Sequence, residues 1–548
     1  MKKKLFILLS LILVITTVLA ACGSNNNGAE NSANNPNNMA SDNSGNNSDS
    51  TTEEFSFPLK EPVTIKMVAC KHPNNGPYEE MEFFKQLEEK TNVKIDWDDI
   101  DYSACEEQRN LILGTNDLPD AFYGNLILQD NDVIKYGAEG ALIPLEDYIT
   151  EDIMPNLYKL LEENPTYRSV ITAPDGHIYS LPNIRELMLW LSPDMMFLNK
   201  VWLDNLGLEV PTTTEELYDV LMAFKTQDPN GNGEPDEIPF SFVYNHIHYN
   251  TQGIGSLFGA FGRADWSNHL FVEDGKVVFS AQEPEYKEAI KYFHKFFADG
   301  LFDKESLTQD NSQLIGKADR LGGFFAWLPF SVVGAELSDN YVAVPALEGP
   351  NGDRVWRKAM WNNMGVNPTA FSVTSVNEHP ELTMRWIDLH YHPDTSIEAG
   401  WGPIGLTLVE KDGQLVLNDP PEGMTIDEYV FKKAPVEAPY AIQADTYGSR
   451  LALTEKDKEK IDTIKENYLP YMTSETLPGI LYSPEESEQI KLLSTDINSY
   501  VMESSARWML EGTVEEEWDE YLNNLKNMGL DDLLAVHQQA YDRFLSAQ

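Results

Sequence analysis

The sequence predicts an α/β protein in which strands and helices alternate, followed by a mainly helical C-terminal region. Apolar and polar residues alternate from Val63 to Ala69 and again from Val93 to Trp97, which is the period of a half-buried strand. Between these runs, Met81, Phe84 and Leu87 recur at the spacing of one helix face. A strand, a helix and a strand in this order indicate a βαβ unit and therefore a parallel sheet.

A second α/β region is predicted from about Leu191 onward. Its first helix begins at a capping box formed by Thr213 and Glu216. Toward the C-terminus, Ser483-Pro484-Glu485-Glu486 is typical of a helix start, because it combines an N-cap, a proline at the first helical position and a glutamate at the third. Gly512 is predicted to end that helix, and another helix follows it.

Composition excludes several classes of protein. The chain has 548 residues, with 40 Lys and Arg against 88 Asp and Glu, and its formal net charge is −48. Nucleic acid and anionic lipid are therefore not expected as main partners, because both would be repelled. A hydrophobic fraction of 42% excludes general disorder. The cysteines, Cys22, Cys70 and Cys105, are too few for a disulfide scaffold or a cysteine-rich zinc protein.

The N-terminus carries the signals of a secreted lipoprotein. Lys2 to Lys4 precede an apolar run from Leu5 to Ala20, which is shorter than the roughly 20 residues that a spanning helix needs. The run ends in Leu19-Ala20-Ala21-Cys22, which resembles the lipobox of bacterial lipoproteins. This resemblance implies that residues 1–21 are a signal peptide and that Cys22 carries a diacylglycerol anchor. A simple cleaved signal with an incidental cysteine is the alternative.

Residues 22–54 are predicted to form a flexible linker. After Cys22 the segment is rich in Asn, Ser, Gly and Asp, and it has almost no apolar residue with which to offset its ordering entropy. A lipid-bearing cysteine followed by a polar linker indicates a folded protein tethered at the extracellular face of the cell membrane.

Several segments, in order along the chain, resemble the family 1 extracellular solute-binding proteins of carbohydrate ABC importers, in the long lipoprotein form of Gram-positive bacteria. The matching segments are Gly114–Asp120, Pro174–Pro182, Trp202–Thr213, Asp228–Pro239 and Gln539–Arg543. The resemblance implies a periplasmic-binding-protein-like fold with two α/β lobes, each a mostly parallel sheet flanked by helices. Lobe one is expected at residues 55–190 plus 322–395, and lobe two at 191–321 plus 396–548.

The same resemblance implies the function. An oligosaccharide would lie between the lobes, which close on it by a hinge motion and deliver it to the permease subunits of an ABC importer. The protein is therefore expected to be a monomer without catalytic activity.

The segment from Asp228 onward has the spacing of a calcium loop. Oxygen-bearing side chains occupy the first, third, fifth and ninth positions, and Gly233 occupies the sixth. The twelfth position is Pro239 instead of a bidentate glutamate, and Glu237 is the substitute. In the family this loop binds a structural Ca²⁺, and a plain Asn-Gly turn is the alternative. The resemblance implies the ligand set Asp228, Asn230, Asn232, the Glu234 carbonyl, Asp236 and Glu237.

A sugar site needs aromatic rings for the C–H faces and polar groups for the hydroxyls. Four tryptophans lie beside turn signals or predicted crossings between lobes, and ordinary packing is the alternative for each. Three polar candidates accompany them, with Asp120 ranked first. The predicted ligand residues are Asp120, Tyr123, Arg185, Trp190, Trp327, Trp361 and Trp401.

Other functions stay open at this point. The same lobes would serve a peptide or another non-sugar solute, and the many carboxylates allow a surface glycoside-active enzyme. The sequence contains no His-Glu-x-x-His, Gly-x-Ser-x-Gly or phosphate-binding Gly-Lys-Ser/Thr motif, so an enzyme is not expected. Cys70 and Cys105 either form a disulfide or remain two buried thiols.

Overall fold

A computed structural model of the protein describes residues 55–192, 194–244, 252–358, 365–473 and 476–547. The predicted signal peptide (1–21), the lipidation site Cys22 and the linker (22–54) lie outside the described residues. From Ser56 onward the chain forms one unit with a continuous core. In the described part, no helix combines the length and the apolar character that crossing a membrane requires.

The larger sheet has six strands in the order β13-β4-β10-β3-β1-β2. β1 and β2 are parallel with Val63 opposite Val93, and the helix α1 (Glu82–Thr91) lies between them in sequence, so the predicted βαβ unit is confirmed. β1–β3 and β4–β13 are also parallel, whereas β10 is antiparallel to both of its neighbours. The strands are β1 (Val63–Lys71), β2 (Val93–Asp101), β3 (Ala121–Tyr123), β4 (Leu181–Arg185), β10 (Val366–Val373) and β13 (Ala441–Ile442).

The smaller sheet has three strands in the order β8-β5-β9, and both strand pairs are antiparallel. Isolated parallel bridges, Ile238 to Leu321 and Ser241 to Phe324, continue it beside β8. Two hairpins complete the strands. The bounds are β5 (Met195–Asn199), β6 (Leu270–Glu273), β7 (Lys276–Phe279), β8 (Gly323–Ala326), β9 (Tyr341–Val344), β11 (Leu408–Lys411) and β12 (Gln414–Leu417).

Strand pairing corrects the predicted division into lobes at two places. β8 and β9 pair with β5, so residues 323–344 belong with the smaller sheet and not with lobe one. β13 pairs with β4, and the helix α12 (Pro393–Trp401) packs against β13, so the segment 393–442 belongs with the larger sheet and not with lobe two. The prediction failed because the sheet to which a strand belongs is decided by its hydrogen-bonded partner strand. That partner can be distant in sequence, and a boundary placed by sequence position cannot identify it.

Helices flank both sheets, and the C-terminal region is helical as predicted. The Thr213–Glu216 and Ser483–Glu486 capping boxes are both formed, and Gly512 ends the first long C-terminal helix with a φ of 75°. The helices are α1 (Glu82–Thr91), α2 (Cys105–Thr115), α3 (Asp130–Ala138), α4 (Pro155–Glu163), α5 (Pro165–Ile171), α6 (Lys200–Leu206), α7 (Thr214–Thr226), α8 (Pro284–Ala298), α9 (Asn311–Ile315), α10 (Phe330–Leu337), α11 (Pro380–Asp388), α12 (Pro393–Trp401), α13 (Ile426–Phe431), α14 (Glu455–Asn467), α15 (Pro484–Glu511), α16 (Val514–Asn527) and α17 (Leu530–Ser546).

Cys70 and Cys105 form a disulfide, which decides between the two possibilities that the sequence left open. The bond joins the end of β1 to the first residue of α2, with a Cα–Cα distance of 5.8 Å. Both residues are buried, in a core cluster with Val68, Leu113 and Phe122. The disulfide therefore ties α2 to β1, the strand beside the edge strand β2.

Replacing both cysteines by alanine should lower the free energy of unfolding by about 3–4 kcal/mol, because the bond closes a loop with a sequence separation of 35. Differential scanning calorimetry of the wild type and the double variant measures the change. The wild type under reducing conditions should shift in the same direction, and an unchanged melting temperature in both cases would contradict the prediction.

Candidate functional site

The ends of β1, β3 and β4 lie at one edge of the larger sheet, and the chain crosses to the smaller sheet from this edge. The first crossing segment, 186–194, joins β4 to β5, and the second, 345–365, joins β9 to β10. The third, 443–454, joins β13 to α14, which packs against the first. We call this edge, with Lys71, Tyr123 and Arg185 at its strand ends, the crossing edge. Ligands of α/β proteins bind at the carboxyl ends of parallel strands, so it is the candidate site.

A short segment, 434–440, lies across these strand ends and brings a carboxylate to the crossing edge. Asn125, just after β3, donates its backbone N–H to the Glu437 carbonyl at 3.0 Å and its side-chain Nδ2 to the Glu437 carboxylate at 2.9 Å. Asn183 donates to the Ala438 carbonyl at 2.6 Å. Glu437 is partly exposed while its neighbours in the segment are buried, so its side chain is the one that this segment presents.

Backbone strain accompanies this placement. Val436 has a φ of 61°, in the left-handed region that β-branched residues avoid at a cost of roughly 1–3 kcal/mol. Its N–H donates to the Ala399 carbonyl at 3.0 Å and its carbonyl accepts from Arg185 at 2.9 Å, so both backbone groups are held. Strain maintained in this way is typical of functional segments.

Arg185, one of the predicted ligand residues, does lie at the crossing edge. It ends β4, it is partly exposed, and its Nη2 donates both to the Val436 carbonyl and to the Tyr440 hydroxyl, the latter at 2.5 Å. The guanidinium has five N–H donors in a fixed plane. The two hydrogen bonds therefore orient the group and leave other N–H donors for further partners. Burial raises the pKa of the neighbouring Tyr440 hydroxyl, which stays protonated.

The structure places the Asp120 and Tyr123 side chains away from the exposed part of the crossing edge. Asp120 precedes β3 and lies at the opposite end of the strand, where its carboxylate accepts from the Lys66 backbone N–H at 2.8 Å. Its carbonyl accepts from the Thr374 N–H at 3.1 Å, so it fastens β3 to both neighbouring strands. Tyr123 is fully buried, and its hydroxyl bonds to His390 Nε2 at 3.1 Å inside the aromatic core. The residue types suited a sugar site, but strand direction and burial direct both side chains elsewhere.

The tryptophan predictions divide into two groups. Trp327 follows β8, is partly exposed, and packs against Leu187 and Leu189 of the first crossing segment. Trp401 ends α12 and is partly exposed at the rim of the main core. Trp361 lies outside the described residues, and the side chain of Trp190 lies outside them as well. Of the predicted aromatics whose side chains are described, Trp327 packs on the first crossing segment and Trp401 contacts Tyr447 of the third.

A buried ion pair joins the first and second crossing segments. Arg357 Nη2 lies 2.8 Å from Asp194 Oδ2, and the Asp194 side chain is fully buried. Ser256 donates to the same carboxylate oxygen at 2.5 Å. Burial raises the pKa of Asp194, and the Arg357 charge opposes that rise. Trp356 Nε1 donates to Ser192 Oγ at 2.9 Å, which adds a second bond between the two segments.

A cavity of about 380 Å³ lies on the smaller-sheet side, beside the second crossing segment. Its lining includes Arg263, Trp266, Phe271, Arg354 and Tyr471, and Arg354 lies 4.4 Å above the Tyr471 ring. Trp266 and the other cavity residues were not predicted, because no turn or crossing signal marks them in the sequence.

The predicted calcium loop folds as a tight acidic turn. Gly231 and Gly233 have φ values of 71° and 81°, which glycine adopts without strain. The Gly233 N–H donates to Asp228 Oδ2 at 3.0 Å, joining the sixth and first positions of the loop. Asn230 and Asn232 each donate a side-chain N–H to Asp236 Oδ1 at 3.1 Å, and these bonds lower the Asp236 pKa.

The oxygen atoms of the loop suit a hard cation. Asn230 Oδ1 and Asn232 Oδ1 each accept one backbone bond and retain a second lone pair. Glu237 Oε1 is buried without a hydrogen-bond partner among the described residues. No group of three or more His, Cys, Asp and Glu side chains suited to a metal occurs in the described residues, so a cation here would also need the amide and carbonyl oxygens of the loop.

Comparison with known proteins identifies the family. The family model described as bacterial extracellular solute-binding protein matches residues 73–393. The fructooligosaccharide ABC transporter substrate-binding protein FusA of Streptococcus pneumoniae is 38% identical over 508 residues, which cover 90% of this chain and 92% of FusA. The chain belongs to the bacterial extracellular solute-binding proteins.

Solved structures agree with this assignment. The structure of FusA in complex with kestose is similar with a TM-score of 0.71 and 36% identity, covering 88% of this chain and all of that one. A structure of a FusA EF-hand mutant in complex with fructo-nystose matches equally well. A human-milk-oligosaccharide-binding solute-binding protein from Bifidobacterium longum infantis, 24% identical with a TM-score of 0.75, shares the fold and covers 89% of this chain and 99% of its own. The two-lobed α/β fold class is confirmed.

The Asp194–Arg357 pair gives a stability prediction for this solute-binding protein. Arg357→Met should lower the free energy of unfolding by about 3 kcal/mol, because it leaves a buried carboxylate without its counter-charge. Arg507→Met is the control, since Arg507 pairs with Glu517 at the exposed surface, where such pairs contribute about 0–1 kcal/mol. Chemical denaturation measures both, and equal effects of the two substitutions would contradict the prediction.

Proposed function

We propose that this solute-binding protein captures a fructooligosaccharide at the crossing edge and delivers it unchanged to an ABC importer. The observation that carries the proposal is the 38% identity to FusA over 90% of this chain. This similarity extends over the whole folded part, so it includes both sheets and all three crossing segments. It therefore includes the residues of the crossing edge as well as the rest of the fold.

The crossing edge has the chemistry that a sugar needs. The Glu437 carboxylate accepts hydroxyl hydrogens, while Asn125 and Arg185 donate N–H groups from fixed positions. Trp327, on the smaller-sheet side, offers a partly exposed ring to the C–H face of a sugar.

In the proposed binding cycle, the three crossing segments act as the hinge between the two sheets. A ligand that contacts groups on both sheets favours the closed arrangement, and closure bends the three segments that join the sheets. We further propose that Cys22 carries the lipid that anchors the protein outside the cell and that the linker 22–54 gives it reach. The protein acts as a monomer toward the permease subunits, and it binds and releases the sugar without turnover.

We also propose that the loop from Asp228 to Glu237 binds a structural Ca²⁺. The loop geometry supports this, and the existence of an EF-hand mutant of FusA indicates that a relative has such a loop. Asp228, Asn230, Asn232, Asp236 and Glu237 with the Glu234 carbonyl would hold the ion. Its contribution would be to neutralise the acidic turn and stiffen the connection that follows α7.

Isothermal titration with kestose tests the sugar proposal. The wild type should bind, and Glu437→Gln should weaken binding by about tenfold or more, because a charged acceptor for hydroxyl donors is lost. Asp120→Asn makes the same chemical change at the opposite end of β3 and should leave the affinity unchanged. If Asp120→Asn weakens binding more than Glu437→Gln does, the assignment of the ligand site to the crossing edge is wrong. If the wild type does not bind kestose, the proposal that the ligand is a fructooligosaccharide is wrong.

Calcium binding is tested by titrating Ca²⁺ into EGTA-treated protein. Asp228→Asn should lower the affinity by about tenfold or more, since one carboxylate ligand is lost. Asp274→Asn is the matched control, because Asp274 is an exposed aspartate in another tight turn with nearly the same φ, 49° against 50°. Equal calcium uptake by the two variants would show that the loop does not hold the ion.

A further inference from the structure

The wall of the cavity beside the second crossing segment carries an arginine without a carboxylate partner. Arg354 lines this space of about 380 Å³, and among the described residues no Asp or Glu oxygen lies within 4.0 Å of its guanidinium. The other arginines of the chain, with the exception of Arg185, each have such an oxygen within that distance. In a chain with 88 Asp and Glu against 40 Lys and Arg, a guanidinium without a carboxylate is an exception.

Two hydrogen bonds and an aromatic ring hold the Arg354 side chain in place. Its Nε donates to the Ala346 carbonyl at 2.5 Å, and its Nη1 donates to the Tyr471 hydroxyl at 3.0 Å. The guanidinium also lies 4.4 Å from the centroid of the Tyr471 ring. A guanidinium has five N–H groups, so three remain, and for the two on Nη2 the described residues supply no acceptor. The group is therefore oriented before a ligand arrives, which limits the entropy lost on binding.

The nearby acidic side chains leave the Arg354 side of the cavity positively charged. Glu273 lies 2.8 Å from Arg263, the second arginine of the cavity wall, and is paired with it. Asp353 is next to Arg354 in the chain, but its carboxylate lies against Gly262, where an added Cβ would be 3.7 Å from Oδ2. The carboxylate that follows the chain most closely is thus directed to another part of the wall, and the Arg354 charge has no local counter-charge.

The hydrogen-bonding groups of the wall favour a ligand that accepts. Both guanidiniums only donate, and the Tyr471 hydroxyl already accepts from Arg354. Trp266 Nε1 is engaged, because it donates to the Lys358 carbonyl at 3.2 Å. A sugar hydroxyl both donates and accepts, whereas a carboxylate only accepts and matches the planar guanidinium through two parallel bonds. Trp266 and Met472 add apolar surface, which suits a ligand with a flat apolar body.

We propose that this cavity is a second binding site of the protein, and that it takes a small organic carboxylate with a flat apolar body. Arg354 binds the carboxylate through two parallel hydrogen bonds, while Trp266 and Met472 contact the body of the ligand. The cavity lies on the smaller-sheet side, whereas the crossing edge consists of strand ends of the larger sheet. The inference therefore goes beyond the proposed sugar function and does not depend on it.

Titration calorimetry of the full chain with benzoate as the probe tests the chemical class of the ligand. The wild type should bind benzoate. Benzamide has nearly the same shape without the charge, and it should bind about tenfold or more weakly, because the guanidinium loses a charged acceptor. Equal binding of the two compounds overturns the inference, and so does absence of benzoate binding by the wild type.

Substitutions test the place of binding. Arg354→Gln should weaken benzoate binding by about tenfold or more, because the charged bidentate donor is lost. Arg320→Gln is the matched control, since it removes an exposed arginine charge outside the cavity, and it should leave benzoate binding unchanged. If Arg185→Gln abolishes benzoate binding and Arg354→Gln retains it, the anion binds at the crossing edge and the inference is wrong.

A second variant keeps the test decisive if Arg354→Gln does not fold. Met472→Trp retains both arginines of the wall and fills part of the cavity with a larger side chain, so it should also weaken benzoate binding by about tenfold or more. Circular dichroism establishes that each variant is folded. A folded Met472→Trp with the benzoate affinity of the wild type overturns the inference. A kestose titration of the same variants tests the proposed sugar function separately.

Discussion

The central position of β10 in the larger sheet constrains the rest of the structure. β10 pairs with β3 on one side and β4 on the other, yet the chain enters it from the smaller sheet. Because β10 is hydrogen-bonded to a neighbouring strand along both edges, it cannot leave the sheet without breaking both sets of hydrogen bonds. The second crossing segment must therefore end where β10 begins. At its end Gly365, with φ of 103°, passes so close to the Arg185 carbonyl that an added Cβ would lie 2.2 Å from it. The crossing edge is therefore fixed by backbone pairing.

The polar groups at that edge are positioned mainly by the backbone. Asn125 and Arg185 extend from strand ends, and each is bonded to the segment 434–440, which lies across them. The strained Val436 is the cost of directing Glu437 outward from a segment that is otherwise buried. Rigid presentation of a few donors and acceptors limits the entropy lost on binding, which suits a receptor that must also release its ligand.

Charge is distributed differently at the surface and at the crossings. The net charge of −48 keeps the surface acidic, whereas the cationic residues Arg185 and Arg357 lie where the chain passes between the sheets. Burial strengthens electrostatic effects there, because water no longer screens them. In the proposed cycle, closure of the two sheets on a ligand would act on groups whose pairing depends on local packing, while the surface carboxylates remain solvated.

The sequence by itself determined the local structure, the family and the chemistry of the calcium-loop candidate, because each of these depends on residues that are contiguous in the chain. Helix caps such as Ser483–Glu486 and the βαβ start at Val63 need only neighbours along the chain. Tertiary structure decided which side chains the crossing edge presents. Asp120 lies at the opposite end of β3 and Tyr123 is buried, whereas Glu437, more than 300 residues later in the chain, is partly exposed at this edge. Lys460 stands among charged residues in the sequence, yet it is buried against Trp327, and this contact depends on packing between distant segments.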